Sequence, residues 1–246
     1  MQNFAQNLKH ALKLNLIKDN RYMYIVDGFK NTMVITLFAT IIGILLGLVI
    51  ALVRTTYDNT YNAKHNNIVQ KVILKIANSI CQIYITVIRG TPVVIQLMIL
   101  FFCIFTSRDT SGIFIAIVGF GLNSSAYVAE IFRSGLMSID SGQMEAGRSL
   151  GLSYLETLRF IIIPQAFKVV LPALCNEFIV LIKETSVAGY VAVQDLTKGG
   201  DIIRSRTYDA WTPLLIVAAI YLLLTCIFSY FVKKLEIRLR RNERQV

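Results

Sequence analysis

The chain has 246 residues, 55% of them hydrophobic and 16% charged, with 25 Lys and Arg against 15 Asp and Glu. Soluble domains carry roughly 25% charge; with a mean hydropathy of +0.58, lipid rather than a large aqueous core is the expected solvent. The net charge of +10 does not mark a nucleic-acid module, because the sequence is too apolar for one. Lys and Arg gather instead between and after the apolar runs, as the positive-inside rule describes.

The opening "MQNFAQNLKHALKLNLIKDNRYMY" lacks the uninterrupted apolar stretch of a cleavable signal peptide. Phe4, Leu8, Ala11 or Leu12, and Leu16 fall roughly on one helical face, so residues 1–27 read as an interfacial segment or as a poorly ordered end. The first spanning run, 31–53, carries no charge and exceeds the roughly 20 residues a bilayer requires. Within it Gly43 and Gly47 form a small-x-x-x-small pair, which permits close helix approach. A basic break follows, with Arg54, Lys64, Lys71 and Lys75 marking a cytoplasmic side.

Helix is expected to resume near Ile68 and to give a second span over 84–106, kinked at Arg89, Gly90, Thr91 and Pro92. The third span, 112–133, carries Asn123, Tyr127, Glu130 and Ser134 at helical spacing. A polar stripe of this kind seldom faces lipid. The fourth span, 160–182, holds Pro164 and Pro172; a segment with four basic and four acidic residues follows and suits the outer side. The fifth span, 211–232, ends in the basic tail "KKLEIRLRRNERQV". Five spans place the termini on opposite sides, the amino end outside and the carboxyl end in the cytoplasm.

Between the third and fourth spans, 138–158 read as helix, glycine turn, helix. Asp140 is a cap with Gln143 at the third helical position, and the helix runs to about Leu150. Gly151 is its stop, and Ser153 with Glu156 opens the next helix. This stiff polar element is either a docking surface or an interfacial helix of purely structural use.

"EAGRSLGLSYLETLRFIIIP" resembles the EAA motif of binding-protein-dependent ABC transporter permeases. The family pattern is Glu-Ala-Ala, three residues, Gly, nine residues, then Ile-x-Leu-Pro. Glu145, Ala146, Gly151, Ile161 and Pro164 match it; Gly147 and Ile163 depart from it, and Gly147 is expected to loosen the short helix. The stretches "GFKNTMVITLFATIIGILLG", "YITVIRGTPVVIQL", "AYVAEIFRSGLMSIDSGQMEAGRSLG", "IIIPQAF" and "LIKETSV" are similar to the polar amino acid permeases, the histidine, glutamine, arginine and cystine group.

The resemblance implies an all-α type I importer permease fold over 28–235, with 236–246 as a cytoplasmic tail. It implies a multi-pass protein of a bacterial cell membrane working as a permease dimer, with the same or a sister chain. Two cytosolic ATP-binding subunits, an extracellular solute-binding protein and a polar amino acid substrate complete the expected set. Residues near 141–152 become the coupling helix, with Glu145, Ala146, Gly147, Leu150 and Gly151 meeting a groove on the ATPase. The chain holds no G-x-x-x-x-G-K-[ST] sequence, so ATP hydrolysis is assigned to the partner. No cofactor, metal or nucleic acid is implied. The four cysteines form no Cys-x-x-Cys, and there are two histidines.

Several residues keep two readings. Glu130 lines a path, pairs with Arg133 or caps a local turn. Glu177, beside Asn176, meets a substrate ammonium or pairs with Lys183. Arg89 holds a carboxylate or anchors the helix break near Pro92. Asn123 and Tyr127 are pathway candidates, Tyr127 alternatively serving packing. Lys183, Glu184, Thr185 and Ser186 end the fourth span and form a gate. The rival function is a stand-alone secondary transporter or channel, against which the unequal spans and lack of an inverted repeat count.

Overall fold

A backbone immersed in lipid must satisfy its own hydrogen bonds, and the apolar runs accordingly fold as helices. The structure is a computed structural model describing residues 6, 9–61, 68–107 and 109–241. Its main helices are α1 (Tyr22–Tyr61), α2 (Ile68–Gly90), α3 (Val93–Ile104), α4 (Gly112–Met137), α5 (Ser141–Ser149), α6 (Tyr154–Val191), α7 (Leu196–Thr207) and α8 (Trp211–Arg241). Among the described residues, five of them, α1, α2, α4, α6 and α8, are long and apolar enough to cross a membrane. Hydroxyls inside these helices bond back to their own backbone: Thr36 to Thr32 O at 2.8 Å, Ser79 to Lys75 O at 2.8 Å and Thr225 to Leu222 O at 3.0 Å. Each is satisfied without water.

The second crossing helix differs from the expected 84–106. The chain breaks fully at Thr91 and Pro92 rather than kinking, so Ile68–Gly90 is one helix and the shorter Val93–Ile104 another. Pro92 disfavours helical geometry at the residue before it, and Gly90 two residues earlier adds no stiffness. The Thr91 hydroxyl closes the break by donating to Val87 O at 2.8 Å. Pro172 stays inside α6, whereas Pro164 follows a π turn at Leu158–Ile162. A proline ring cannot donate to the helical ladder, and the wider turn absorbs the mismatch.

The amino-terminal expectation is also revised. Phe4 and Leu8 lie outside the described residues, and α1 already begins at Tyr22. The buried residue of the preceding π turn is the polar Asn15, whose amide donates to Asp209 Oδ2 at 2.8 Å and to Ala11 O at 2.9 Å. Asp19 and Asn20 take left-handed backbone angles before α1, a conformation that short polar side chains tolerate. The segment after α6, read as a mixed-charge connection, folds into the helix α7. Buried Asp195 caps it, accepting from Thr197 N–H at 2.8 Å and Lys198 N–H at 3.2 Å.

The chain divides into two compact units. The first comprises Met1–Ala39, Val93–Phe120 and Ile179–Phe228. Its core gathers Ile35, Leu97, Phe120, Leu181 and Val191, with a second cluster of Ile25, Leu196, Ile203 and Val217. The second unit comprises Thr40–Pro92, Gly121–Phe178 and Ser229–Val246. There α1 lies directly on α4. A Cβ at Gly43 would stand 2.9 Å from Ser124 Oγ, and one at Gly47 would stand 2.6 Å from Val128 Cγ1. Such close backbone approach is how helices associate when lipid removes the hydrophobic drive between them.

Candidate functional site

Two places in the second unit concentrate the polar residues picked out by the sequence. The first is the helix–turn–helix of α5 and the start of α6. Asp140 Oδ1 accepts from Gly142 N–H at 2.7 Å and starts α5. Gln143 does not return the contact; its side-chain oxygen accepts from Gln165 Nε2 at 3.4 Å. The helix ends in a complete Schellman turn: Gly151 N–H donates to Arg148 O at 3.1 Å, and Leu152 N–H to Gly147 O at 3.2 Å. Gly151 has φ +88°, where a Cβ would be strained. A full capping box then opens α6, with Ser153 N–H donating to Glu156 Oε2 at 2.7 Å and Glu156 N–H to Ser153 Oγ at 3.3 Å.

Gly147 does not loosen this element. It is the buried residue of α5, and a Cβ there would lie 2.4 Å from Thr157 Cγ2 and 3.0 Å from Ile161 Cδ1. Glycine is thus what lets α5 fold back onto α6. With that face seated, Glu145, Ala146, Leu150 and Gly151 are all turned to the outside. Leu150 is 82% exposed.

The second place is the polar face of α4, a set of side-chain contacts between α4 and its neighbours. Asn123 is buried. Ser124 donates to Glu177 Oε1 at 2.9 Å, so the buried Glu177 is met by a hydroxyl rather than a cation. The Tyr84 hydroxyl donates to Leu122 O at 2.7 Å and lies 2.7 Å from Ser125 Oγ. The Arg89 guanidinium lies over the Tyr127 ring, 5.2 Å from its centroid. Arg89 therefore stacks on an aromatic instead of gripping carbonyls freed at the Pro92 break, consistent with cation–π attraction.

Glu130 pairs with both Arg54 and Arg133, the latter at 3.5 Å. The Arg54 contact is the closer one and joins the end of α1 to α4. In the sequence Arg54 shows only as the first charge after an uncharged run. Nothing there signals its partner 76 residues away. Asn176 is exposed. The gate candidates belong to the first unit: Lys183 is exposed, and Glu184 and Ser186 half-buried. Thr185 is fully buried and donates to Ile182 O at 2.7 Å. There α6 tightens into the 3₁₀ turn Thr185–Val191.

An all-helical chain with five membrane-crossing helices, and one capped polar element held rigid yet uncovered between two of them, is built as a membrane transport subunit. The comparisons with known proteins agree. Residues 68–241 match the family described as binding-protein-dependent transport system inner membrane component, and the chain belongs to this family. It is 39% identical over 168 residues to the glutamine transport system permease GlnP of Escherichia coli K12, covering 67% of this chain and 77% of that one. It is 36% identical over 186 residues to the arginine transport system permease ArtQ of Bacillus subtilis, covering 70% and 85%.

A solved amino acid ABC transporter, crystallised with histidines, superposes with TM-score 0.78 at 37% identity, over 90% of this chain and 97% of that one. The MetNI methionine ABC transporter, in inward-facing conformations, shares the fold alone at 19% identity and TM-score 0.68. The chain is thus a multi-pass membrane permease of the ABC importer class, and the solitary-transporter reading falls away.

Proposed function

We propose that this chain carries a polar amino acid across the membrane and is driven by a separate ATP-hydrolysing subunit that grips α5. The observation that carries the proposal is the double lock on α5: a Schellman turn at one end, Gly147 seated on Thr157 beneath, and an outer face left to Glu145, Ala146 and Leu150. A helix held at both ends transmits displacement to α6 instead of absorbing it. Glu145 supplies the polar contact, Leu150 the apolar anchor, and Gly151 fixes the angle between the two helices. Two ATP-binding subunits, a second permease chain of the same or a sister kind, and an extracellular solute-binding protein complete the complex. The basic segments put α5 and the carboxyl end in the cytoplasm and the amino end outside.

The relatives named for glutamine and arginine favour a substrate with a free carboxylate and ammonium. Arg89, exposed and stacked on Tyr127, suits the carboxylate, since a guanidinium offers a bidentate fork. Glu177, oriented by Ser124, suits the ammonium, with Asn123 and Asn176 beside the path. Glu130 is committed to two arginines and serves to neutralise them. Lys183 to Ser186 form the gate. The test is reconstitution of the purified complex in liposomes with labelled glutamine, arginine and histidine. Uptake that requires both ATP and the binding protein supports the proposal; uptake by this chain alone, or of apolar solutes only, defeats it.

A further inference from the structure

The first unit carries a surface that neither the coupling element nor the pathway uses. Its amino-terminal segment, 9–21, lies outside the residues matched to the family, 68–241, and is nevertheless pinned in place. The buried Asn15 amide donates to Asp209 Oδ2 at 2.8 Å, and the π turn Lys13–Ile17 packs against α7. Arg21 closes the segment, donating to Leu14 O at 3.0 Å and to Asp19 Oδ2 at 2.9 Å. Segment 9–21, α7 and the corner between α7 and α8 therefore share one end of the unit. The chain crosses once, through α6, between α5 and α7, so with α5 in the cytoplasm this end is extracellular.

That end is basic, against the positive-inside rule. The carboxylates of segment 9–21 and of 195–211 are all engaged. Asp19 meets Arg21, Asp201 meets Lys198 at 3.0 Å and Arg204, and Asp195 and Asp209 cap α7 and α8. Lys9, Lys13, Lys18 and Arg206 are exposed and meet no carboxylate among the described residues. Residues 1–8 add no charged side chain, and nearby Lys183 with Glu184, and Arg108 with Asp109, add one charge of each sign. Cations kept where topology disfavours them suit an acidic partner. Tyr208 stands at the corner, 96% exposed, with φ +56°, the left-handed region that favours glycine at a helix end. Its N–H donates to Arg204 O at 3.0 Å, and the next residue, Asp209, accepts from Trp211 N–H at 3.0 Å while holding Asn15. The backbone is locked on both sides and the ring is left in water.

An aromatic ring held rigidly outward in a disfavoured backbone conformation adds nothing to the packing of its own chain, and such rings are the usual anchors of protein interfaces. A lipid surface is fluid and rewards neither the fixed position nor the strain. We propose that segment 9–21 and the α7–α8 corner form the surface that receives the extracellular solute-binding protein. Tyr208 enters a pocket on that protein, and Lys9, Lys13, Lys18 and Arg206 meet an acidic rim around it. The inference rests on the importer reading above and gives the amino-terminal segment its use.

The complete complex is reconstituted in phosphatidylcholine nanodiscs, and its ATP hydrolysis is titrated with the solute-binding protein that supports uptake in the liposome assay. Tyr208→Gly should raise the melting temperature, because glycine takes the left-handed turn freely. It should leave basal hydrolysis unchanged and raise the half-saturating concentration of binding protein about tenfold, as loss of an interface anchor does. A structural role for Tyr208 would not separate stability from docking in this way. Lys9→Glu with Lys13→Glu and Lys18→Glu should raise the half-saturating concentration at low salt, and added salt should shrink the difference. An unchanged value in either variant, with the wild type stimulated, overturns the docking surface and leaves the importer reading standing. A wild type that no binding protein stimulates overturns both. If the lysine variant differs only once phosphatidylglycerol is present, the cations serve the membrane and the proposal fails.

Discussion

The α5 element and the polar face of α4 lie in the same unit and are held together in opposite ways. Around α5 nearly every contact is local: Asp140 to Gly142, Gly151 to Arg148, Ser153 to Glu156. On α4 the side-chain contacts that reach neighbouring helices are remote: Arg54 to Glu130, Ser124 to Glu177 and Tyr84 to Leu122 span 76, 53 and 38 residues. A local lock is stiff on its own, whereas a remote one is stiff only while the helices that bring its partners together stay packed. The element proposed to receive force is the first kind; the face proposed to line the path is the second, and is free to change as helices move.

The largest expected effect breaks the remote kind. Arg54→Ala leaves Glu130 with the 3.5 Å contact to Arg133 and should cost about 2 kcal/mol. That is below the figure for a fully buried pair because both side chains keep some exposure. Thermal unfolding in detergent reads it. The double variant with Glu130→Gln should recover much of the loss; if Arg54→Ala is neutral, the pair does not join α1 to α4.

Next comes the fit beneath α5. Gly147→Ala restores the family's usual residue but places a Cβ against Thr157, and should cost about 1–2 kcal/mol by overpacking. Transport should fall with it. Adding Thr157→Ala, which removes the clashing Cγ2, should restore both; failure of the rescue would show that Gly147 acts otherwise. Ser153→Ala, which removes one half of the capping box, should cost about 1 kcal/mol and slow coupling without loss of membrane insertion, as measured by ATP hydrolysis per molecule transported.

The smallest effect is a pH dependence at the amino-terminal contact in the first unit. Thr212 chiefly holds the Asp209 carboxyl below its ordinary 3.8, against some burial, with Asn15 and the Trp211 and Thr212 N–H groups assisting. A lowered pKa gives stability that is complete above the ordinary value and is lost as pH falls through the folded one. The melting temperature should thus dip below about pH 4, and Asp209→Asn should remove that part of the dip.

The same contrast explains what the sequence disclosed. The caps at Asp140 and Ser153 and the stop at Gly151 were legible, because each is a residue type acting on its own backbone neighbours. The Gly43 and Gly47 pair pointed correctly to close approach, though not to Ser124 and Val128 as the surfaces approached. The role of Gly147 is not legible in the sequence, because its meaning lies in Thr157, ten residues on and across a turn. Arg54 marks sidedness but not its pairing with Glu130, and the residues around Pro92 signal a kink where the chain breaks fully. The helix α7 went unrecognised, since its charges read as a connection and its buried cap Asp195 signals only once it has a helix to cap.

The central claim is that α5 is where an ATP-hydrolysing subunit takes hold, and co-purification tests it most directly. The intact chain and Glu145→Arg are each isolated from membranes in mild detergent and assayed for bound ATPase. The account predicts that the wild type brings an ATPase, while the variant inserts normally and loses it. Equal recovery with both would contradict the role given to Glu145 and α5, and a wild type that brings no ATPase would contradict the partnership itself.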